Sequence, residues 1–172
     1  TLTVTVTDDG AGQIGGNKTA TKSVAVSVTA VNDAPEVMGG GSVDMAPILE
    51  DSNPAGNTVQ NIFGGSYQDS RDTVTGGSSA DSMAGVVVVG NTANASTQGV
   101  WQYSTDGGAT WITIPAGRSD SSAMFLSSTA KIRFNPVKDF NGDAPALTVR
   151  LVDSSAVDAA NNPSNTALPV SD

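Results

Sequence analysis

The sequence predicts an all-β fold, and three observations carry that expectation. Apolar side chains alternate with hydroxyl side chains over several short stretches. Gly, Asn, Asp and Pro cluster between those stretches, where tight turns use them. No stretch repeats apolar residues at three- and four-residue spacing, so no long helix is expected. Only 5% of the 172 residues are aromatic, which leaves the core largely to Val, Ile, Leu and Ala.

The first element is Leu2, Val4 and Val6 alternating with Thr3, Thr5 and Thr7, with one apolar and one hydroxyl face. Asp8-Asp9-Gly10 ends it, a polar loop follows, and Val24, Val26 and Val28 repeat the alternation. The pair reads as a hairpin, and two strands cannot bury a core unaided. It therefore either closes an upstream domain or joins the domain that follows. Val31-Asn32-Asp33-Ala34-Pro35 reads as a linker, because Asn and Asp before proline favour turn or extended backbone. A partial hairpin domain over 1–33 and a β module over 34–172 are expected.

Within the module, Gly39-Gly40-Gly41 and the Ser/Gly/Asp-rich stretch 64–85 read as long loops. Val86 to Val89, flanked by Gly85 and Gly90, suits a strand covered on both faces. Val100 to Ser104 and Thr110 to Ile114 flank Thr105-Asp106-Gly107-Gly108, and the Asp-Gly pair is a strong hairpin signal. Lys131 to Asn135 is a further strand. Leu147, Val149 and Leu151 alternate along another that ends at Asp153, and Thr166 to Val170 reads as a weaker last one. Spacing and turn chemistry together predict a β-sandwich of Ig-like type.

Composition narrows the chemistry. The chain has no histidine, which removes the commonest general base, the base of a serine triad and the usual zinc ligand. It has no cysteine either; an extracellular chain of this size would often carry disulfides, and this one must find its cross-links elsewhere. Seventeen acids against eight bases give a formal charge of −9, which disfavours nucleic acid and anionic membranes as partners. There is no transmembrane run and no signal peptide, and an internal piece of a longer, non-enzymatic protein is expected.

The acids sit at predicted strand ends and turns: Asp8, Asp9, Asp33, Glu50, Asp51, Asp69, Asp72, Asp139, Asp143, Asp153 and Asp158. Calcium takes six to eight oxygens from carboxylates, amides and backbone carbonyls, and loops can wrap such oxygens around an ion. Asn32-Asp33 and Asp139-Phe140-Asn141-Gly142-Asp143 add neutral amide oxygens. Asp, Asn and Gly are also good turn formers, so any single cluster reads either way. Several clusters in an acidic chain without disulfides favour calcium, although none spells the EF-hand loop.

Two stretches carry resemblances. Thr7-Asp8-Asp9-Gly10, with the strand into Ala30-Val31-Asn32-Asp33-Ala34-Pro35, resembles the end of a cadherin-like repeat. Such repeats hold calcium between neighbours with an acidic strand end and an Asn-Asp-x-Pro linker. The resemblance implies Asp8 or Asp9 with Asn32 and Asp33 as ligands, although a full cadherin linker is richer in Asp and Asn. The second covers most of 46–153, through Ile48-Leu49-Glu50-Asp51, Val86-Val87-Val88-Val89-Gly90-Asn91-Thr92, Gly99 to Trp111, Ile132-Arg133-Phe134-Asn135-Pro136 and Asp139-Phe140-Asn141-Gly142. This looks like a module of the large bacterial RTX adhesins. Those are calcium-dependent surface fibres exported by type I secretion, built mostly of extender modules with some ligand-binding and split domains.

The resemblances imply an extracellular, calcium-rigidified extender or scaffold at the bacterial surface, supporting attachment and biofilm formation. Its partners would be neighbouring domains of the same adhesin, without membrane insertion. The alternative is a domain that binds a glycan or peptide through loops near 64–85 or 117–123. The expected metal ligands are Asp8, Asp9, Asn32, Asp33, Glu50, Asp51, Asp69, Asp139, Asn141 and Asp153, and the ion is Ca2+.

Other patterns carry less. Ser104-x-Asp106-x-Gly108-x-x-Trp111 fits the Asp-box found on sialidase propeller hairpins, where it is a structural turn. Trp101 and Trp111 flank Asp106 at equal spacing and are expected to pack together into the core. Phe63 and Tyr67, in the glycine-rich loop, are weak candidates for exposed contact. Glu50-Asp51, read as strand neighbours, point to opposite faces and do not make a glycosidase pair. Arg133 and Arg150 are expected in surface ion pairs.

Overall fold

The computed structural model describes residues 2–7, 19–75 and 77–157. It divides into two compact units, residues 1–30 and residues 31–172. The expected ligands Asp8 and Asp9, together with Asp158 and the strand expected over Thr166–Val170, lie outside the described residues.

In the first unit, β1 (Leu2–Thr7) and β2 (Thr19–Val24) form an antiparallel pair. Leu2 sits opposite Val24, Val4 opposite Lys22 and Val6 opposite Ala20. Residues directly opposite share a face. One face is therefore apolar apart from Lys22, and the other carries only Thr and Ser hydroxyls. Leu2, Val4, Val6 and Val24 are all exposed. Val26 and Val28, expected in the second strand, lie beyond it and are exposed. Val24 already pairs with Leu2 at the start of β1, so β1 offers them no ladder partner.

The second unit is built from β3 (Glu36–Val37), β4 (Asn57–Thr58), α1 (Val59–Phe63), β5 (Tyr67–Gln68), β6 (Met83–Asn91), β7 (Gly99–Ser104), β8 (Ile112–Thr113), β9 (Met124–Ser127), β10 (Lys131–Pro136) and β11 (Leu147–Asp153). All pairings are antiparallel: one sheet runs β4-β10-β7-β8, another β11-β6-β9, and β3 pairs with β5. The molecule is β-rich, as the alternation predicted. The helix α1 is a single short turn, capped by Thr58, whose Oγ1 accepts the Asn61 N–H at 3.1 Å.

The two larger sheets contribute to one apolar cluster. Val86, Val88, Leu126 and Leu151 come from β11-β6-β9, while Trp101, Ile132 and Phe134 come from the other sheet. Phe134 is edge-on to both Trp101 and Phe140, with centroids 5.4 and 6.1 Å away. Trp101 donates its indole N–H to the Pro145 carbonyl at 2.8 Å, which satisfies the polar edge of a buried ring. The opposite face of β6 is also covered. Val87 and Ala84 pack there with Val152 and with Ala156 of the 154–156 turn. This double cover explains why Val86 to Val89 is apolar without alternation.

The hairpin β7–β8 corrects the expectation for the tryptophans. Tyr103 pairs with Ile112, so the turn is centred between Gly107 and Gly108 rather than on Asp106. Equal spacing about Asp106 therefore places Trp101 and Trp111 on opposite faces. Trp101 enters the core, and Trp111 lies on the outer face under the Arg133 guanidinium, 4.0 Å from the ring centroid. Arg133 is likewise not a surface ion pair. It is buried and donates to Gln102 Oε1 at 2.8 Å, Asn53 Oδ1 at 2.6 Å and the Pro54 carbonyl at 3.0 Å, fastening the 53–54 segment over β10. Arg150 does pair with a carboxylate, Asp120, at 3.3 Å.

The stretch 64–85 is more structured than a long loop. It holds a 3-10 turn at Gly64–Ser66, then β5, and the start of β6. Two-residue strands are too short to show alternation, and β9 was hidden for a similar reason. Phe63 and Tyr67 are half-buried against the core, not displayed for contact.

Candidate metal site

Three acids are buried inside the second unit. Alternation along β11 turns Val149 and Leu151 toward the core, and the next inward position is Asp153, fully buried. The register with β6 slips between Val152 and Asp153, a bulge at which Ala84 has no partner in β11. Tyr67 packs against the core from β5, and Asp69 follows two residues later, 5% exposed. The turn after it brings back Asp72, fully buried, with its carboxyl within hydrogen-bonding reach of Asp69.

The N–H and O–H groups that donate to these carboxylates are neutral. The Asp33 N–H donates to both Asp72 oxygens, at 3.2 and 3.0 Å. The Asp81 N–H donates to Asp69 Oδ2 at 2.5 Å. Ser155 donates its backbone N–H at 2.9 Å and its hydroxyl to Asp153 Oδ1. Asp69 Oδ1 and Asp153 Oδ2 are buried and have no hydrogen-bond partner. No ion pair among the described residues reaches the group; the nearest base in sequence, Arg71, pairs with Glu36 at 2.6 Å.

Electrostatics follow from that arrangement. Burial pushes the Asp69 carboxyl above the ordinary carboxylate range, and the neighbouring Asp72 and Asp153 charges add to it, against the Asp81 N–H that pulls it down. The Tyr67 phenol donates to the Asp81 carbonyl at 2.8 Å. Burial raises its pKa, reinforced by the charges of Asp69, Asp153, Asp81 and Asp72. Buried like charges without a counter-charge are costly. Every donor atom here is an oxygen, the ligand type of a hard cation such as calcium. Among the described residues, no three His, Cys, Asp or Glu side chains are placed so that they could hold a metal ion together.

The other expected ligands fall into two sets. Asn32 and Asp33 adjoin this group but turn donors toward it. Asp33 enters through its backbone N–H, and the Asn32 amide donates to Ser155 Oγ at 3.0 Å. Asp51 and Asp139 meet at the surface, where Asp51 Oδ1 accepts the Asp139 N–H at 2.9 Å. Both have left-handed backbone, with φ of 59° and 60°. Glu50 lies in the same turn as Asp51, not in a strand, and Asn141 and Asp143 follow Asp139. This second set is exposed, and Asp139 already has the Lys138 ammonium at 2.8 Å.

Asp72 was counted among strand-end acids but not among the expected ligands. The Asp69-x-x-Asp72 spacing within one turn was the available signal. Asp81 was overlooked altogether. Its carboxylate accepts from Ser154 Oγ at 2.7 Å at the edge of the same group.

The Asp-box is a self-satisfied turn. Asp106 accepts from the Thr110 N–H at 2.9 Å and from Ser104 Oγ at 2.7 Å, while Gly108 N–H donates back to Ser104 Oγ at 2.8 Å. The Thr110 and Ser104 hydrogen bonds hold the Asp106 carboxyl well below the ordinary range. Among the described residues no helix is long and apolar enough to cross a membrane. Comparison with family models, with curated proteins and with solved structures gave no match.

Proposed function

We propose that this chain is a calcium-rigidified extender or scaffold module of a bacterial surface adhesin. In this reading the second unit is an Ig-like sandwich, and the first is the closing hairpin of a cadherin-like repeat. The resemblances in 1–36 and 46–153 support the adhesin assignment, with its extracellular, type I-secreted setting. The one-sided face of β1 and β2 is what a sheet packed on a further layer needs.

The observation that carries calcium is the burial of Asp69, Asp72 and Asp153 together, with two oxygens lacking any partner. A divalent cation supplies the missing counter-charge, and in a chain without cysteine it substitutes for a disulfide as a cross-link between distant segments. Ligand bound only to the folded state adds stability as RT ln(1 + [L]/Kd), roughly 2.7 kcal/mol at a hundredfold excess over Kd. For a chain of this size that corresponds to roughly 5–10 °C in Tm. Thermal unfolding in calcium and in EDTA tests the proposal; coincident curves would refute it.

A further inference from the structure

We infer that Asn141 is a self-modifying site: its side-chain amide cyclises with the Gly142 nitrogen and opens to a carboxylate, and the fold leaves that reaction as free as it is in an unstructured peptide. The inference is independent of calcium. Asparagine is among the thermolabile residues of proteins. Its cyclisation needs three things of the neighbourhood. The next residue must carry an N–H to lose, that N–H must not be tied up in a hydrogen bond, and the backbone must be free to swing the nitrogen onto the side-chain carbon.

Asn141-Gly142 meets all three. Both residues are exposed and lie outside every strand and helix. The Gly142 N–H reaches no acceptor, and Asn141 Oδ1 no donor, among the described residues. The Asn141 amide makes one long contact, from Nδ2 to the Asp139 carbonyl at 3.5 Å. Gly142 has no Cβ to obstruct the approach, and a Cβ built there would meet nothing closer than Phe140 Cζ at 4.0 Å. Every other described asparagine fails on one count. Asn53 and Asn135 precede prolines, which have no N–H. The Asp33 N–H after Asn32 is held by Asp72. Asn57 and Asn61 lie in β4 and α1, followed by the stiff β-branched Thr58 and Ile62. Asn91 is buried with both ends of its amide bonded, and Asn94 Oδ1 accepts the Ser96 N–H.

The step balances with water alone. The Gly142 nitrogen gives up its proton and bonds to Asn141 Cγ, and Nδ2 leaves as ammonia, closing a five-membered imide. Water then adds to one of the two imide carbonyls. Opening at Cγ gives aspartate. Opening at the backbone carbonyl gives isoaspartate, whose chain runs through the side chain and is one carbon longer. Either product adds a negative charge between Asp139 and Asp143. The longer chain matters because the loop spans two anchors. Phe140 is fixed edge-on against Phe134, and the Pro145 carbonyl holds the Trp101 indole. An extra carbon between them pushes on both.

Incubation of the full chain in mildly alkaline heavy-oxygen water tests this. Trypsin, cutting after Lys138 and Arg150, releases residues 139–150, in which Asn141 is the only asparagine. That peptide should lose ammonia and gain heavy oxygen, faster as pH rises, and within threefold of the rate of the same sequence made as a free peptide. The tryptic peptide holding Asn91 and Asn94 should convert at least tenfold more slowly. An isoaspartyl methyltransferase should label 139–150 from aged wild type, and Asn141→Gln should remove that label. Aged wild type should melt below Asn141→Gln aged beside it, while fresh Asn141→Asp should melt with fresh wild type. Conversion tenfold slower in the full chain than in the free peptide overturns the inference, as does earlier conversion at Asn91 or Asn94. Coincident melts of the two aged proteins overturn the strain on the anchors alone.

Discussion

Asp106 and Asp69 show two fates of the same side chain. Asp106 sits at the tip of β7–β8, and all its partners lie within four residues: Ser104 on one side and Thr110 on the other. Its charge is stabilised by local donors in open solvent, and its pKa falls. Asp69 sits under the core beside two more carboxylates, with one N–H donor and one oxygen left bare, and its pKa rises. An acid in a turn is thus either a complete local structure or an incomplete distant one.

That contrast can be broken or sharpened by measurement. The largest effect expected is calcium removal from wild type, roughly 2.7 kcal/mol when calcium stood a hundredfold above Kd. Calorimetry or circular dichroism melts in calcium and EDTA would show it. Next, Asp72→Asn should recover about 1–3 kcal/mol of the EDTA-treated protein's stability, because a buried charge without a counter-charge is replaced by a neutral amide. Urea unfolding in EDTA measures this, and a destabilised variant would argue against like-charge strain.

A pH series follows in size, and the two acids should move in opposite senses. Asp69 has a folded pKa above its unfolded one, so in EDTA the native state takes up a proton first. Stability should rise as pH falls from neutral through the folded pKa, and level off near the ordinary carboxylate range. Asp106 has a depressed folded pKa, so its contribution is complete above the ordinary range and is lost only in stronger acid. Asp69→Asn should remove the gain on mild acidification, while Asp106→Asn should leave it in place. The smallest effect expected is Asp106→Ala, which should lower Tm slightly and equally with and without calcium. A calcium-dependent loss would show that the Asp-box turn is not self-contained.

Outside this contrast, Arg133→Met should cost about 2 kcal/mol, from lost charge-assisted hydrogen bonds and the stack on Trp111. It should do so independently of calcium, which urea unfolding in both conditions would check.

Much of the framework was legible as sequence. Alternation along Leu147 to Leu151 gave β11 and pointed at Asp153 as its end. The apolar run at Val86 to Val89 gave a strand covered on both faces, and Asp-Gly located the β7–β8 turn. Where the reading failed, it relied on symmetry that the turn did not have: Trp111 left the core because two glycines with φ of 76° and 101° move the centre of the hairpin past Asp106. Arg133 sits in a strand as expected, but its burial depends on the 53–56 segment crossing β10, which no local pattern announces. Among the acids, Asp69 and Asp153 were picked as ligands from separate clusters, with nothing to say they belonged together.

By itself, the sequence determined the β-rich class, the main strands and the closed turn at Asp106, since period-two alternation and hydrogen bonds across a few residues are properties of short segments. Only the tertiary structure decided that Asp69, Asp72 and Asp153 are buried, and that Asp33 reaches Asp72 across 39 residues. Sheet register and burial set those meetings, and both depend on which distant strands pair, which no window along the chain contains.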